Sequence, residues 1–365
     1  MNLNFAIIKT FDALREMKES WRSLYASLPE NTIAFSSWEY IYAFVLFYRP
    51  ANWMVICAYK DESFNELVGV FPLEIYQGEL EDGIIKVCRP LGSIFAYYSD
   101  FLTAADIRAE VINAAIPILR DSFGCEALYY GYIHEESKNY LLLIESIAPR
   151  AEEYKLIRQK VSPYIDARTL DFETFFASKK KSTLPDARRC RRRLAEQGGL
   201  DILNVADTDG MGQEIKELLR IHGNKFAGRH IYDNIDSRWG QFFAELIDAE
   251  AGKGIVELVI MRLNGEIIAG SLNFLCKGRR YYYMPFSVKK YDKFSPSKVL
   301  MAHLIEKTFE ENGVFCFGPG VFPYKEDWCQ AIAELKVLWL FLTPRARELL
   351  PQRAGLNINS LFDRE

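Results

Sequence analysis

An Asn-Gly step between two strand-like runs is the feature that most restricts how this chain can fold. Asn264-Gly265 separates GIVELVIMRL from EIIAGSLNFLC, and Lys277-Gly278 separates the latter from RRYYYMPFSV. Asn-Gly supplies the positive-φ positions that a two-residue hairpin turn needs, and runs rich in β-branched and aromatic residues favour strands. The stretch 254–288 therefore predicts three consecutive antiparallel strands.

Helical patterns around these strands occur in an order that the first part of the chain repeats. Each half reads helix, helix, antiparallel strands, helix, strand. The predicted helices are Phe11–Leu28, one beginning after Ser36-Ser37, one over 106–122, two around 212–226 and 237–251, and one over 297–311. The fold class is therefore α/β (α+β), with two tandem domains that each contain a mixed, largely antiparallel sheet flanked by helices. We expect domains at 1–155 and 156–345 and a C-terminal tail at 346–365.

The segment from Lys179 to Arg193 holds eight Lys and Arg and one acid, Asp186, in a chain whose net charge is −4. A short basic island in an acidic protein suits a local anion site better than the broad basic face of a nucleic-acid binder. A solvated basic face is the alternative. The segment predicts an amphipathic helix that Ser182 caps, with arginines on its polar side. Its apolar side consists of Leu184, Ala187, Cys190 and Leu194.

Cysteine and histidine spacing predicts no metal site. The seven cysteines form no CxxC pair and the four histidines no HExxH, so we expect reduced, mostly buried thiols rather than a disulfide framework. The longest apolar-aromatic run, Tyr40–Tyr48, has nine residues, against about 20 needed to cross a bilayer. With no secretory signal pattern either, the sequence predicts a cytoplasmic protein without a transmembrane segment.

The stretch Tyr291–Trp328 resembles the CelD/BcsL-type branch of the GNAT acyltransferase superfamily, related to the Fem peptidyltransferases. In that branch Tyr-Asp and Ser-Pro-Gly lead into a helix, which is followed by Gly, a short strand, a Gly-containing turn, Tyr-Lys and a Trp. The elements here are Tyr291-Asp292, Ser295-Pro296-Ser297, Gly313, VFCFGPG, Tyr324-Lys325 and Trp328. The resemblance spans about 5–340, with VGVFPLEIY, RPLGS and YYSDFL in the first half and ARRCRRRLAEQGGLDI opening the second. It implies that the second half holds the acyl donor.

The resemblance implies a donor site at the start of the helix predicted over 297–311. GNAT enzymes hold the pyrophosphate of acyl-coenzyme A at a helix N-terminus, where free N–H groups and the helix dipole favour an anion. Ser297 stands where relatives have glycine. The implied co-substrate is acyl-CoA, such as acetyl-CoA. The residues implied to bind it are Ser295, Ser297, Lys298, Arg188 and Arg192, and helix capping is the alternative role for the two serines.

Acyl transfer to an amine needs a base, stabilisation of the oxyanion and protonation of the leaving group. Lys325 is predicted to bind a phosphate or to stabilise negative charge, and Tyr324 to donate a proton. His222 is predicted to act as the base, with His230 as the alternative. Lys225 and Arg229 are predicted to hold an anion of the substrate, and Asp100 to orient the acceptor. The alternatives are structural: core packing for Tyr324, an ordinary polar loop for the segment 222–233 and a turn or cap for Asp100.

The function implied by the resemblance is N-acylation of an amino group on a sugar, a sugar nucleotide or a related precursor of envelope or exopolysaccharide. One alternative is a Fem-like transferase that uses aminoacyl-tRNA, with the arginine helix touching RNA. The basic segment is short and no long helical arm follows, which makes nucleic acid the lesser prediction. The second alternative is a non-catalytic accessory protein of polysaccharide biosynthesis. The sequence leaves a homodimer open.

Overall fold

The computed structural model describes residues 3–28, 33–80, 83–134, 137–147, 154–205, 217, 220–221, 238–250, 255–320 and 322–350. The chain divides into two compact units, one of residues 1–160 and 334–365 and the other of residues 161–333. The final strand thus groups mainly with the first unit. The domain boundaries expected from the sequence at 155/156 and 345/346 stay a prediction.

The first unit is built on a mixed, largely antiparallel sheet. Its strands follow the order β1-β2-β3-β4-β6-β13, and β5 pairs with β3. Strands β4 and β6 run parallel, with Val87 opposite Ala127. The strands are β1 (Asn4–Ile8), β2 (Trp53–Tyr59), β3 (Leu67–Leu80), β4 (Gly83–Pro90), β5 (Leu102–Thr103), β6 (Ala127–His134) and β13 (Ala331–Phe341).

Helices cover this sheet and bury an apolar stripe against it. The pattern predicted as one helix over Phe11–Leu28 is found as two, which meet at Met17. Ser37 caps the next helix as predicted, because its hydroxyl accepts the N–H of Tyr40 at 3.3 Å. The helices are α1 (Phe11–Glu16), α2 (Lys18–Ser27), α3 (Trp38–Ala43), α4 (Arg108–Phe123), α5 (Lys138–Ile147) and α11 (Pro344–Leu349).

Two buried cysteines of the first unit are joined. Cys88 on β4 and Cys125, just before β6, form a disulfide with 6.3 Å between their Cα atoms. The expectation that all cysteines are reduced thiols is therefore wrong for this pair. The pairing of β4 with β6 brings the two residues together across 37 positions of sequence, and spacing along the chain gives no sign of that.

The second unit repeats the same design. Its strands follow the order β7-β12-β11-β10-β9-β8. Both predicted hairpin turns are confirmed, with φ of 51° and 82° at Asn264 and Gly265 and of 47° and 77° at Lys277 and Gly278. The strands are β7 (Tyr154–Asp166), β8 (Leu200–Asn204), β9 (Val256–Leu263), β10 (Glu266–Cys276), β11 (Arg279–Ser287) and β12 (Val314–Cys316).

The basic segment forms a helix with the predicted apolar face, since Leu184, Ala187, Cys190 and Leu194 are all buried. The helix begins one residue later than expected: Thr183 occupies the N-cap position, and the carbonyl of Ser182 instead accepts the ammonium of Lys298. The helices of this unit are α6 (Phe172–Ala177), α7 (Leu184–Ala195), α8 (Arg238–Glu250), α9 (Pro296–Glu310) and α10 (Pro323–Trp328), with a 3₁₀ turn at Lys289–Phe294.

A buried ionic network fixes α9 to the sheet. Arg280 on β11 is fully enclosed, and its guanidinium donates to Glu257 on β9 at 2.7 Å and to Thr308 on α9 at 2.6 Å. Lys307 donates to the other carboxylate oxygen of Glu257 at 2.7 Å. Buried charges are tolerated only when they are paired. The network therefore fixes the C-terminal half of α9 on the sheet. Because the helix is rigid, this also fixes the position of its N-terminus.

Within the described ranges, no helix is both long enough and apolar enough to cross a bilayer.

Candidate functional site

Strands β11 and β12 are parallel neighbours that separate at their carboxyl ends. They pair over three residues, from Arg279 opposite Val314 to Tyr281 opposite Cys316. Beyond Cys316 the chain follows β7, because the N–H of Phe317 donates to Pro163 at 3.0 Å, while β11 continues to Ser287. Ligands of open α/β sheets bind outside the carboxyl ends of parallel strands. The residues that follow β11 and β12 therefore form the candidate site.

After β11 the chain passes through the 3₁₀ turn and enters α9 at Ser295. Ser295 has φ 50° and ψ 54°, and its hydroxyl makes no capping hydrogen bond. The hydroxyl of Ser297 donates to the carbonyl of Phe286 at 3.5 Å. Neither side chain covers the first turn of this 15-residue helix. Pro296 has no N–H, and the N–H of Lys298 donates to the carbonyl of Ser295 at 3.0 Å. The N–H of Ser297 and the positive end of the helix dipole are therefore available to an anion.

Basic side chains surround the start of α9. The ammonium of Lys298 lies 2.7 Å from the carboxylate of Asp186, which also accepts Arg189 at 2.6 Å. These two cations hold the pKa of Asp186 below its usual value. Arg193 and Lys293 both lie over the ring of Phe294, at 5.4 and 4.9 Å from its centroid. We call Arg189, Arg193, Lys293 and Lys298 the basic cluster.

The structure separates the arginines of α7 into two groups. Arg188 turns away from the start of α9, because its guanidinium lies 3.5 Å from Glu306 and over the ring of Phe176. The side chain of Arg192 is exposed and has no hydrogen bond or ion pair among the described residues. The structure thus brings Lys298 together with Ser295 and Ser297 but places Arg188 elsewhere. The donor-binding role predicted for Arg188 and Arg192 stays a prediction.

Sequence reasoning missed Arg189, Arg193, Lys293 and Asp186 as neighbours of this helix start. The helical wheel identified the polar face of α7. The wheel does not show which of the arginines on that face lie next to α9, because the packing of α7 on α9 is a tertiary contact. The only available signal was the run Lys289, Lys290, Lys293 just before the Ser-Pro-Ser motif.

After β12 the chain makes the Gly-Pro-Gly turn and enters α10, which carries Lys325 and Tyr324. Lys325 is 6% exposed, and its ammonium donates to the carbonyls of Gly318 and Pro319, both at 3.1 Å. It therefore holds the turn at the carboxyl end of β12. Tyr324 is 46% exposed beside Phe322, and partial burial raises the pKa of its hydroxyl, which stays protonated at neutral pH.

The remaining predicted site residues are not part of this arrangement as described. His222, Lys225 and Arg229 lie outside the described residues. Asp100 belongs to the first unit, where one carboxylate oxygen accepts the Tyr130 hydroxyl at 2.9 Å, the Asn139 amide at 2.7 Å and the Phe101 N–H at 2.8 Å. Burial nevertheless raises the pKa of Asp100.

The cavity beside Asp100 is about 20 Å³, which is room for about one water molecule. Among the described residues, no group of three or more His, Cys, Asp and Glu side chains is placed to hold a metal ion.

Residues 181–326 match the acetyltransferase (GNAT) domain family. This range runs from the start of the basic segment to α10 and so includes both sides of the candidate site. No curated protein matches the chain significantly.

Solved structures resemble the fold over nearly the whole chain. FemX aligns over 96% of this chain and 100% of its own, with a TM-score of 0.61 and 11% identity. L-PGS from Bacillus licheniformis aligns over 95% of this chain and 97% of its own, with a TM-score of 0.59 and 13% identity. The C-terminal domain of a putative lysylphosphatidylglycerol synthetase from Agrobacterium fabrum aligns over 94% and 97%, with a TM-score of 0.54 and 12% identity. The expected fold class is confirmed, whereas the CelD/BcsL branch stays a prediction.

Proposed function

We propose that this protein is an acyltransferase that moves an acyl group from a phosphate-bearing donor to an amino group. The match of residues 181–326 to a GNAT acetyltransferase domain supports the reaction class. The observation that carries the proposal is the start of α9, where an uncapped helix N-terminus and the four cations of the basic cluster meet at the carboxyl ends of two separating parallel strands.

The donor phosphates would bind at this helix start. A phosphate there would receive the N–H of Ser297 and charge-assisted bonds from arginine and lysine, which are stronger than neutral hydrogen bonds. Lys298 and Arg189 are already held in place by Asp186, so little side-chain entropy is lost on binding. The acyl end of the donor would then lie between the end of β11 and the turn after β12.

The groups after β12 would assist the transfer. The attack of a neutral amine on the acyl carbon creates an oxyanion, which the buried ammonium of Lys325 at the turn after β12 would stabilise. The hydroxyl of Tyr324 keeps its proton at neutral pH and would donate it to the leaving group. The base remains unassigned among the described residues, and His222 stays the predicted one.

Acyl-CoA is the donor that the GNAT-domain match favours. Aminoacyl-tRNA is a second candidate donor, and the exposed arginines of α7 favour it at least as well as they favour acyl-CoA. Arg189, Arg192 and Arg193 are exposed along α7, whose 12 residues span about 18 Å. A pyrophosphate needs only a few of these charges, whereas an RNA acceptor stem would use the whole length.

The acceptor remains the one implied by the sequence resemblance, an amino group on a sugar, sugar nucleotide or related envelope precursor. A protein in the cytoplasm, where charged tRNA, acyl-CoA and sugar nucleotides occur, fits this proposal.

Calorimetric titration of acetyl-CoA, a longer acyl-CoA and free CoA tests the donor site. We expect micromolar binding that Arg193→Gln and Lys293→Gln weaken by about tenfold each, or ~1.4 kcal/mol. Arg15→Gln serves as the matched control, because Arg15 is exposed on α1 and pairs only within that helix. Filter binding of charged and uncharged tRNA at several salt concentrations tests the second donor, with a steep loss of affinity at higher salt expected. Binding of neither donor would refute the transferase proposal and favour an accessory role.

A further inference from the structure

A second pocket lies in the same unit at the other end of α9. It has a volume of about 570 Å³ and is lined by Phe172 and Glu173 of α6, Arg188 of α7, and Glu306, Phe309 and Glu310 of α9. Glu306 and Ser297 are nine residues apart on the same helix, which corresponds to about 14 Å along the axis. The pocket is therefore distinct from the proposed donor site, and its inference does not rest on the proposed function.

Aromatic rings form one wall of this pocket. Phe172 packs edge-on against Phe309 with 5.3 Å between ring centroids. The guanidinium of Arg188 lies 4.1 Å from the ring of Phe176 and 5.6 Å from that of Phe172, and it pairs with Glu306. This wall thus already holds one organic cation in the way that rings and carboxylates bind such groups, by cation–π contact and charge pairing.

The remaining charges of the pocket are negative and largely uncompensated. Four carboxylates line it, those of Asp171, Glu173, Glu306 and Glu310, against the single guanidinium of Arg188. The carboxylate of Asp171 accepts the N–H and the hydroxyl of Thr174 as a helix cap. The side-chain carboxylates of Glu173 and Glu310 have no hydrogen bond or ion pair within the part of the chain that the structure describes. Two carboxylates beside an aromatic wall are therefore available to a ligand.

We propose that this pocket binds an organic cation, namely a guanidinium or primary ammonium group on an aliphatic stem. The stem packs on Phe172 and Phe309, and the charged head reaches Glu173 and Glu310, as Arg188 already does with Phe176 and Glu306. The volume falls in the range of small-ligand sites, roughly 300–1,000 Å³. The excess of carboxylates excludes an anion, and the apolar wall gives a preference over an inorganic cation.

The cation could be a free amine or an arginine or lysine side chain of a peptide, and the two sources share this chemistry. Calorimetric titration with agmatine and with the capped peptide acetyl-Gly-Arg-Gly-amide distinguishes them, with butylurea as the uncharged comparator. A tighter agmatine complex identifies a free metabolite, and a tighter peptide complex identifies a protein side chain.

The expected result is saturable binding of at least one cation, about tenfold tighter than butylurea, that weakens as salt increases. Glu173→Gln and Glu310→Gln should each weaken it about three- to fivefold, and Glu62→Gln, an exposed change in the first unit, should not. Glu173 and Glu310 are exposed, so both variants should fold, and Phe309→Leu tests the aromatic wall separately. Equal binding of butylurea and the cations, or binding unchanged in Glu173→Gln and Glu310→Gln, would overturn the proposal.

Discussion

The carboxylate of Asp186 lies 2.7 Å from the ammonium of Lys298, and this ion pair joins the basic helix α7 to the start of α9. The same carboxylate pairs with Arg189. One acid therefore holds two cations of the proposed donor site and also competes with the donor phosphate for them.

Asp186→Asn should tighten donor binding. The substitution removes the negative charge beside Lys298 and Arg189, so we expect three- to tenfold tighter binding of acyl-CoA at low salt, or about 1 kcal/mol, and a smaller gain at high salt. Calorimetry measures it, with Asp121→Asn on α4 as the matched control because Asp121 pairs only with its neighbour Arg120. Weaker binding would mean that Asp186 acts mainly by positioning the cations.

Tyr324→Phe should separate catalysis from folding. The change keeps the ring beside Phe322 and removes only the hydroxyl, so we expect the free energy of unfolding to change by less than about 0.5 kcal/mol. Loss of a proton donor should lower kcat about 10²-fold with little effect on donor affinity. An unchanged kcat would show that the hydroxyl takes no part in proton transfer.

Lys325→Met should cost both stability and activity. The buried ammonium donates to the carbonyls of Gly318 and Pro319, and leaving such acceptors unsatisfied costs about 1–3 kcal/mol. Urea unfolding measures the first effect, and turnover under stable conditions measures the second. Lys325→Arg, which keeps the charge, is the control. A stable but inactive Lys325→Met would assign the residue to catalysis rather than to holding the turn.

Glu257→Gln should destabilise the second unit and alter its response to acid. Burial alone would raise the pKa of Glu257, but Arg280 and Lys307 outweigh it and hold the pKa below its usual value. The ionised network therefore stabilises the fold above the unfolded pKa, about 4.3, and this contribution disappears as pH falls through the lower folded pKa. We expect a loss of about 3–5 kcal/mol at pH 7, because Arg280 loses its buried partner. Urea unfolding from pH 7 to 3 measures this, with half-exposed Glu311→Gln as the milder control; equal effects of the two variants would contradict it.

Asp100→Asn should have the opposite dependence on pH. Because burial raises the pKa of Asp100, the native state binds the proton more tightly than the unfolded state does. Its ionisation lowers stability as pH rises from the unfolded pKa, about 3.9, to the folded one. An asparagine oxygen can still accept from Tyr130 and Asn139, so the variant should gain stability relative to wild type as pH rises over this range. Chemical unfolding at pH 4 to 7 checks this, and a constant difference between the two proteins would contradict it.

The sequence predicted those parts of the fold that depend on the conformational preferences of neighbouring residues. The turns at Asn264-Gly265 and Lys277-Gly278 require positive φ, and the apolar stripe of α7 requires a buried face; both are found. The break at Met17 and the Cys88–Cys125 pair were missed, because each depends on contacts between residues that the periodicity of a single segment does not record.

The candidate site was predicted in part. The Ser-Pro-Ser motif located the start of α9, and Tyr-Lys located α10, because both motifs are contiguous in sequence. The packing of α7 against the start of α9 produces the ion pair between Asp186 and Lys298. The same packing places Arg193 near Phe294. That packing also placed Arg188 at the opposite end of α9, where no sequence pattern indicated a pocket.

Ser295 shows how the site and the fold make different demands on one position. A residue other than glycine with φ near 50° is strained by roughly 1 kcal/mol, and its hydroxyl recovers nothing through capping. Replacement by glycine would therefore favour folding while loosening the backbone that presents the helix start. Directed evolution for thermal tolerance and directed evolution for turnover would accordingly select different residues at position 295.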